Sequence, residues 1–400
     1  MLNAYIFDGA RTAFGRHAGA LASVRPDDLV AHLLRTVVKR SPMAALAEDV
    51  VLGCTCQAGE DSRYIARHAA LLSGLGTGMP GQTVNRLCGS GLAAVMDCAR
   101  AIAAGEGDVY LAGGVESMSR APFVMAKAES PYSRDLRVAD STIGARFPNA
   151  RLMEAFGNHS MPETADAVAA TLGLTREACD AFALQSQQRF AAAQSAGVFV
   201  QEIVPVEVPQ GRKAPPLIFD CDEHPRADTT QASLQRLKPL FESGVTTAGN
   251  ASGINDGAAV VLLASQEAGQ RHGMPALARI RSAAVVGVEP RLMGLGPVAA
   301  IHKALQRSGL TLAQMDLIEI NEAFAAQVLG CLHQLGLDAS DSRVNPNGGA
   351  IAVGHPLGAS GARLVIGATH ELARRKGRYA VVSLCIGVGQ GIALVLEHME

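Results

Sequence analysis

The feature that most limits how this chain can fold is that it repeats itself at a spacing of about 270 positions. Ser90-Gly91 opens LAAVMDCARAIAAGEGDVYLAGGVES, and Ser360-Gly361 opens ARLVIGATHELARRKGRYAVVSLCIGVG. Apolar residues recur at helical spacing in both, Leu92, Val95, Met96, Ala99 and Ile102 against Ala362, Val365, Ile366, Thr369 and Leu372, with Thr369 the one polar member. Gly107 and Gly377 each follow their serine by 17 positions, and a strand-like run comes next, 109–112 against 379–382. Upstream, DVVLGC at 49–54 resembles DLIEIN at 316–321. Strands alternating with helices predict α/β layers, and two such stretches predict a duplicated α/β unit.

Between the copies lies a stretch of different character, predicted to be an insertion over 119–247. It starts polar, passes through a helical segment near Thr164–Ala196 and a β-like EIVPVEV at 202–208, and ends loop-rich. The run GNASGINDGAAVVLLA at 249–264 returns to α/β patterning. The division expected is therefore 1–118 completed by 248–272, an inserted loop domain at 119–247, and a second half at 273–400.

At 400 residues the chain is too long for one ordinary core. Only 18% of residues are charged, which implies much interior or interface and so an oligomer. The net charge of −2 gives no global pull toward nucleic acid or membrane. The eight cysteines form no CxxC pair and no disulfide scaffold. The opening MLNAYIFDGART goes straight into a strand-like run, and no run of 18 apolar residues occurs. A reducing, cytoplasmic setting is the expectation.

Four segments carry residues suited to chemistry. In NRLCGSG (85–91), Cys88 lies between a strand-like stretch and a helix start, where the helix dipole and free N–H groups favour a thiolate. By itself this turn equally fits an inert core cysteine. NPNGGAIAVGHPLG (345–358) places His355 on a glycine-rich loop at the counterpart position, able to serve as a base for a thiol or as a structural hydrogen-bonder. CIGVGQG (385–391) is followed by a strand-like run, which excludes a dinucleotide fingerprint and leaves a turn that exposes backbone N–H groups near Cys385 and Gly387. NEAFA (321–325) follows a strand, where Asn321 is either a ligand-side residue or a helix N-cap.

In this order and near these spacings the four segments resemble the thiolases, and the likeness extends to RTAFGR (11–16) and TAGNASGINDGAA (247–259). The resemblance implies a thiolase fold: two duplicated α/β halves with a mixed sheet and helices in layers, plus the inserted loop domain. It implies Cys88 as nucleophile, His355 as its base, Cys385 as the second acid/base, and oxyanion sites built by His355 with an Asn321-held water and by the N–H groups of Cys88 and Gly387. Coenzyme A is then a substrate, with no permanently bound cofactor and no metal. Arg226 and Ser252 are implied as coenzyme A contacts, Met161 as an acyl-pocket wall, and Ala323 and Phe324 as substrate neighbours. A homotetramer is the family's common assembly.

The segment GGVESMSRAPFVMAKAESPYSRD, with STIGARF and SMPETAD after it, is similar to the 3-oxoadipyl-CoA thiolases, whose substrate carries a distal carboxylate. Candidate readers of that carboxylate are Arg120, Lys127, Arg134, Arg137 and Arg146, which could equally face coenzyme A phosphates or solvent. Ser160 stands where the family often has a histidine before Met161, a departure from the acetoacetyl-CoA pattern. The alternatives are a general fatty-acid 3-ketoacyl-CoA thiolase, an acetyl-CoA acetyltransferase, a non-catalytic lipid carrier of like fold, and a decarboxylating synthase, which would have a second histidine in place of Asn321.

Overall fold

The repeat becomes two copies of one topology. The structure, a computed structural model, describes residues 2–211 and 214–399. The first half runs β1 (Ala4–Thr12), α1 (Pro26–Arg40), β2 (Asp49–Gly53), α2 (Ile65–Leu72), β3 (Gly81–Val84), α3 (Ser90–Ala104) and β4 (Val109–Ser117). The stretch after it holds β5 (Phe123–Met125), β6 (Val138–Asp140), α4 (Ala150–Phe156), α5 (Met161–Leu172), α6 (Arg176–Ser195), β7 (Ile203–Val204), β8 (Val206–Val208) and β9 (Leu217–Phe219). Strand β10 (Asn255–Ala264) returns to the first half by pairing antiparallel with both β1 and β4. The second half runs β11 (Ala278–Gly287), α7 (Gly296–Ser308), β12 (Leu317–Ile320), α8 (Ala325–Leu335), α9 (Ala350–Val353), α10 (Leu357–Arg375), β13 (Tyr379–Ile386) and β14 (Gln390–His398).

The main sheet has the order β12-β13-β14-β11-β1-β10-β4-β2-β3. Each half is mixed in the same way. In the first, β4, β2 and β3 are parallel while β10 is antiparallel; in the second, β12 and β13 are parallel while β14 is antiparallel. The halves join where β1 pairs antiparallel with β11. Strand alternation sets the layers. On β10, Ala259, Val261 and Leu263 face a central core with α3, α10 and second-half strand residues, while Ala258, Val260 and Leu262 face a core with α1 and α2. A third core joins the other face of the second half to α7 and α8. The result is helices, one half of the sheet, the central helices α3 and α10, the other half of the sheet, and helices again. The expected α/β duplication with a mixed sheet is borne out.

Two local expectations need correction. The helical segment near 164–196 is two helices, because Gly173 takes the left-handed conformation (φ 65°) and Thr175 caps the next helix by accepting from Ala178 N–H at 3.2 Å. Helix α10 begins at Leu357, three residues before Ser360. The two central helices end at Gly105 (φ 74°) and Lys376 (φ 54°), just before the matched Gly107 and Gly377. Among the described residues one stretch, 87–104, is long and apolar enough to cross a membrane, and it contains α3, which is packed into the central core.

Candidate active site

The site forms because the two central helices approach each other backbone to backbone at their first turns. A Cβ added to Gly91 would lie 2.4 Å from the Gly358 carbonyl oxygen, and one added to Gly361 would lie 2.3 Å from Leu92 N. Any side chain there would separate the helices. Cys88 stands two residues before α3, and His355 two residues before α10. Close packing of the helix starts therefore brings the two loops together.

The Cys88 turn is held by its own sequence. Leu87 sits at φ 46°, an uncommon backbone for a branched residue. Asn85 Oδ1 accepts from its N–H at 3.0 Å, and Ser90 Oγ accepts from Arg86 N–H at 2.8 Å while donating to the Leu87 carbonyl at 2.6 Å. The Gly387 N–H points at the Cys88 thiol. Burial pushes that thiol up to about 11, against the pull of the Gly387 and Cys88 N–H groups. The thiolate expected from the helix terminus is thus outweighed by desolvation.

His355 is fixed on three sides. Asn255 Oδ1 accepts from its backbone N–H at 3.0 Å, Ser360 Oγ lies 2.6 Å from Nδ1, and Asn321 Nδ2 faces Nε2 at 3.5 Å. With the Ser360 hydroxyl donating to the Pro356 carbonyl at 2.9 Å, Nδ1–H is the donor to Oγ and Nε2 keeps its lone pair. Burial, reinforced by the nearby Arg363 charge, pushes the imidazole down to about 4. Asn321 is not a helix cap: Phe324 is the N-cap of α8, and the Asn321 N–H donates to the Ser383 carbonyl at 2.9 Å.

Cys385 lies near the end of β13, opposite Gly391, and the turn beyond it passes through Val388 (φ 63°) and Gly389 (φ 82°). Burial, followed by its neighbour Cys88, pushes its thiol well up. Cys385 packs in a small apolar cluster with Ala323, Phe324, Ala165 and Met293, against which Met161 is also packed. A Cβ on Gly387 would lie 3.2 Å from Leu87 and 3.5 Å from Met161 Sδ, so Gly387 holds the nucleophile turn close to the apolar wall. Ser252 N–H donates to the Ala323 carbonyl at 2.9 Å. Arg226 lies exposed on a loop whose His224 packs against Gly253, with its own N–H donating to Gln187 Oε1 at 2.9 Å.

The basic residues divide. Arg120 is bound to Glu60 and to the Ala22 carbonyl, and Arg137 pairs with Glu129. Lys127 and Arg134 are exposed. Arg146 is half-buried: its Nη2 donates to the Ser141 carbonyl at 2.9 Å, while its Nε is buried without a partner. Sequence reasoning missed Asn255, Ser360 and Glu116 as site residues. The signal for Glu116 was a lone acid at the end of the apolar run VYLAGGVES.

Two neighbouring free cysteines, a histidine held neutral by burial and a backbone N–H directed at one thiol, at the junction of two like α/β halves, define a class, the duplicated-fold enzymes of acyl transfer. Residues 4–267 match the Thiolase, N-terminal domain, and residues 274–398 match the Thiolase, C-terminal domain. The chain belongs to the thiolase family and is an acyltransferase. It is 56% identical over 402 residues, with both chains fully covered, to the 3-oxoadipyl-CoA/3-oxo-5,6-dehydrosuberyl-CoA thiolase of Escherichia coli strain K12. It is 55% identical, again with full coverage of both, to a beta-ketoadipyl-CoA thiolase of Acinetobacter baylyi. Its fold matches human mitochondrial 3-ketoacyl-CoA thiolase solved in complex with CoA, with TM-score 0.92, 40% identity, and coverage of 100% of this chain and 98% of the other.

Proposed function

We propose that the chain cleaves 3-oxoadipyl-CoA with coenzyme A, giving succinyl-CoA and acetyl-CoA. The observation that carries the chemistry is that Cys88, with the Gly387 N–H and Cys385 beside it, and His355, faced by Asn321, stand just before two helices packed backbone to backbone at their starts. Cys88 Sγ attacks the 3-keto carbon while His355 Nε2 takes the thiol proton. The C2–C3 bond breaks, leaving an acyl-Cys88 thioester and the enolate of acetyl-CoA. Cys385 donates its proton to that carbanion. It then accepts the proton of incoming coenzyme A, whose sulfur takes the acyl group, and the departing Cys88 thiolate takes its proton back from His355. The N–H groups of Cys88 and Gly387 serve one oxyanion, and His355 with Asn321 the other; one such donor contributes roughly 2.7–4 kcal/mol in comparable sites.

The carboxylate reader is assigned to Arg146, whose unpartnered buried Nε is a donor in want of an acceptor. Coenzyme A is bound along Ser252 and Arg226, with Met161, Ala323 and Phe324 against the acyl group. No permanent cofactor is required by any step. The division into halves at 118, 248–272 and 273, with 119–247 inserted, is part of the same proposal. So is a cytoplasmic homotetramer. Exposed Phe123, Met125, Tyr132, Leu136 and Val138 give the inserted stretch an apolar surface suited to contact between copies. A monomeric mass by light scattering would rule that assembly out.

The test compares kcat/KM for 3-oxoadipyl-CoA with that for an uncharged 3-ketoacyl-CoA of similar length. A charge-assisted hydrogen bond contributes about 1.5–3 kcal/mol, so wild type should favour the charged substrate by roughly 10- to 150-fold. Arg146→Gln should lose that preference and leave the neutral substrate nearly untouched. Equal weakening of both substrates would assign Arg146 to coenzyme A. Absence of any preference in wild type would replace the oxoadipyl assignment with a general 3-ketoacyl-CoA thiolase.

A further inference from the structure

Glu116 is the penultimate residue of β4 and is 1% exposed. Its carboxylate accepts from Thr55 N–H at 3.0 Å and Cys56 N–H at 3.0 Å, in the loop after β2, and from Gly358 N–H at 2.9 Å, in the first turn of α10. The Cys54 thiol lies 3.7 Å away. Every one of these neighbours donates, which favours the ionised carboxylate. Pro356, the N-cap residue of α10, offers no side-chain cap. The cap therefore comes from the other half of the molecule, and its negative charge lies at the positive end of α10. Gly358 is also seated against backbone, since a Cβ on it would lie 2.4 Å from the Val115 carbonyl oxygen and 2.6 Å from that of Gly53. His355 is three residues upstream.

We propose that Glu116 is a positioning residue that ties the first-half loops to the start of α10 and so sets where His355 stands relative to Cys88. The proposal rests on the assignment of Cys88 as nucleophile and His355 as its base. Burial pushes the Glu116 carboxyl up, and the N–H groups of Cys56, Thr55 and Gly358 offset part of that rise. The Glu116 charge also reaches the Cys88 thiol and disfavours its thiolate. The Cys88 thiol in turn raises that of Cys385, and the titrating groups on which Glu116 also acts are Cys54 and Cys56.

The experiment uses the full chain as Glu116→Gln and Glu116→Asp. Two quantities are measured: steady-state thiolysis, and the pH dependence of Cys88 alkylation by iodoacetamide, read on the Cys88 peptide by mass spectrometry. Glu116→Gln puts an amide N–H2 among N–H donors. A resulting displacement of about 1 Å should lower kcat by roughly 10- to 100-fold, with KM changed by less than about 3-fold. Loss of the charge should move the alkylation midpoint to lower pH, which a merely structural role would not do. Glu116→Asp keeps the charge but is one methylene shorter. It should keep the wild-type midpoint and lose kcat by at least about 3-fold. Wild-type turnover in either variant overturns the proposal, as does lost turnover in Glu116→Gln with an unmoved midpoint. If Glu116→Gln does not fold, Glu116→Asp decides alone. If wild type itself thiolyses nothing, the functional assignment fails, while the alkylation midpoints still report whether Glu116 acts on Cys88.

Discussion

Ser360→Ala removes one oxygen and tests the tautomer on which the base depends. In the native site the Ser360 hydroxyl accepts from His355 Nδ1 at 2.6 Å and donates to the Pro356 carbonyl at 2.9 Å. Without it Nδ1–H has no acceptor in a site where His355 is 4% exposed. Leaving a buried donor unpaired costs about 1–3 kcal/mol. The imidazole can also move its hydrogen to Nε2, which then no longer accepts a proton from Cys88. Loss of such an orienting partner typically lowers activity 10- to 100-fold, about 1.4–2.8 kcal/mol in the barrier. The assay is thiolysis kcat and KM, with acylation of Cys88 followed separately by mass spectrometry after mixing with acyl-CoA. The expected result is a lower kcat, a nearly unchanged KM, slower acylation, and recovery in Ser360→Thr, which restores a hydroxyl. Wild-type kcat and acylation in Ser360→Ala would refute the idea that Ser360 fixes the tautomer.

Cys88→Ala should abolish both the acyl-enzyme adduct and thiolysis; an adduct persisting on the variant would reject Cys88 as nucleophile. Cys385→Ser should retain acylation of Cys88 by a simple acyl-CoA while overall cleavage fails, and equal loss of both would argue against a separate acid/base role. Iodoacetamide should label Cys88 slowly at pH 7, the rate climbing as pH rises toward about 11, and kcat/KM should fall as pH drops through about 4, where His355 takes up a proton; fast labelling at pH 7 would contradict a neutral resting thiol. Glu319, 7% exposed, has its carboxyl raised from 4.5 to about 8 by burial, so the folded state holds a proton that the unfolded state releases between those values and stability falls as pH rises through that window. Glu319→Gln should therefore change little below pH 4.5 and gain up to about 5 kcal/mol relative to wild type above pH 8, and a gain independent of pH in denaturant melts would dismiss the account.

Much of the site was legible because each motif is local. The glycines and Asn85 around Cys88, the proline after His355 and the glycines after Cys385 mark turns by their own chemistry. The duplication was legible because strand and helix periods repeat over long runs. What the sequence could not show depends on distance along the chain. Asn255 reaches His355 across 100 positions and Glu116 reaches Gly358 across 242. Neither partnership has a periodicity. The direction of the Cys88 shift was misjudged for the same reason: a helix terminus can be read locally, but the depth of burial is set by the packing of both halves. The insertion was least legible. Its helices part at Gly173, and its five basic residues look alike in sequence although Arg120 and Arg137 are already paired.

The duplication also explains why the reacting groups start out uncharged. Both central helices begin at the junction, packed close at their glycines, and the loops that precede them carry Cys88 and His355. Desolvation disfavours a thiolate at Cys88 and an imidazolium at His355 alike, so the resting pair is thiol and neutral base. On the proposed mechanism, charge appears only as the sulfur–carbon bond forms, and it passes at once to the carbonyl oxygen, where the Gly387 N–H already stands. In a site desolvated to this degree a fixed N–H dipole stabilises that oxyanion more than it would in water. The same burial that makes a free thiolate costly therefore strengthens the contact that the transition state uses. A single α/β unit has one such helix start, and the facing of two supplies nucleophile and base from opposite halves without either having to be charged beforehand.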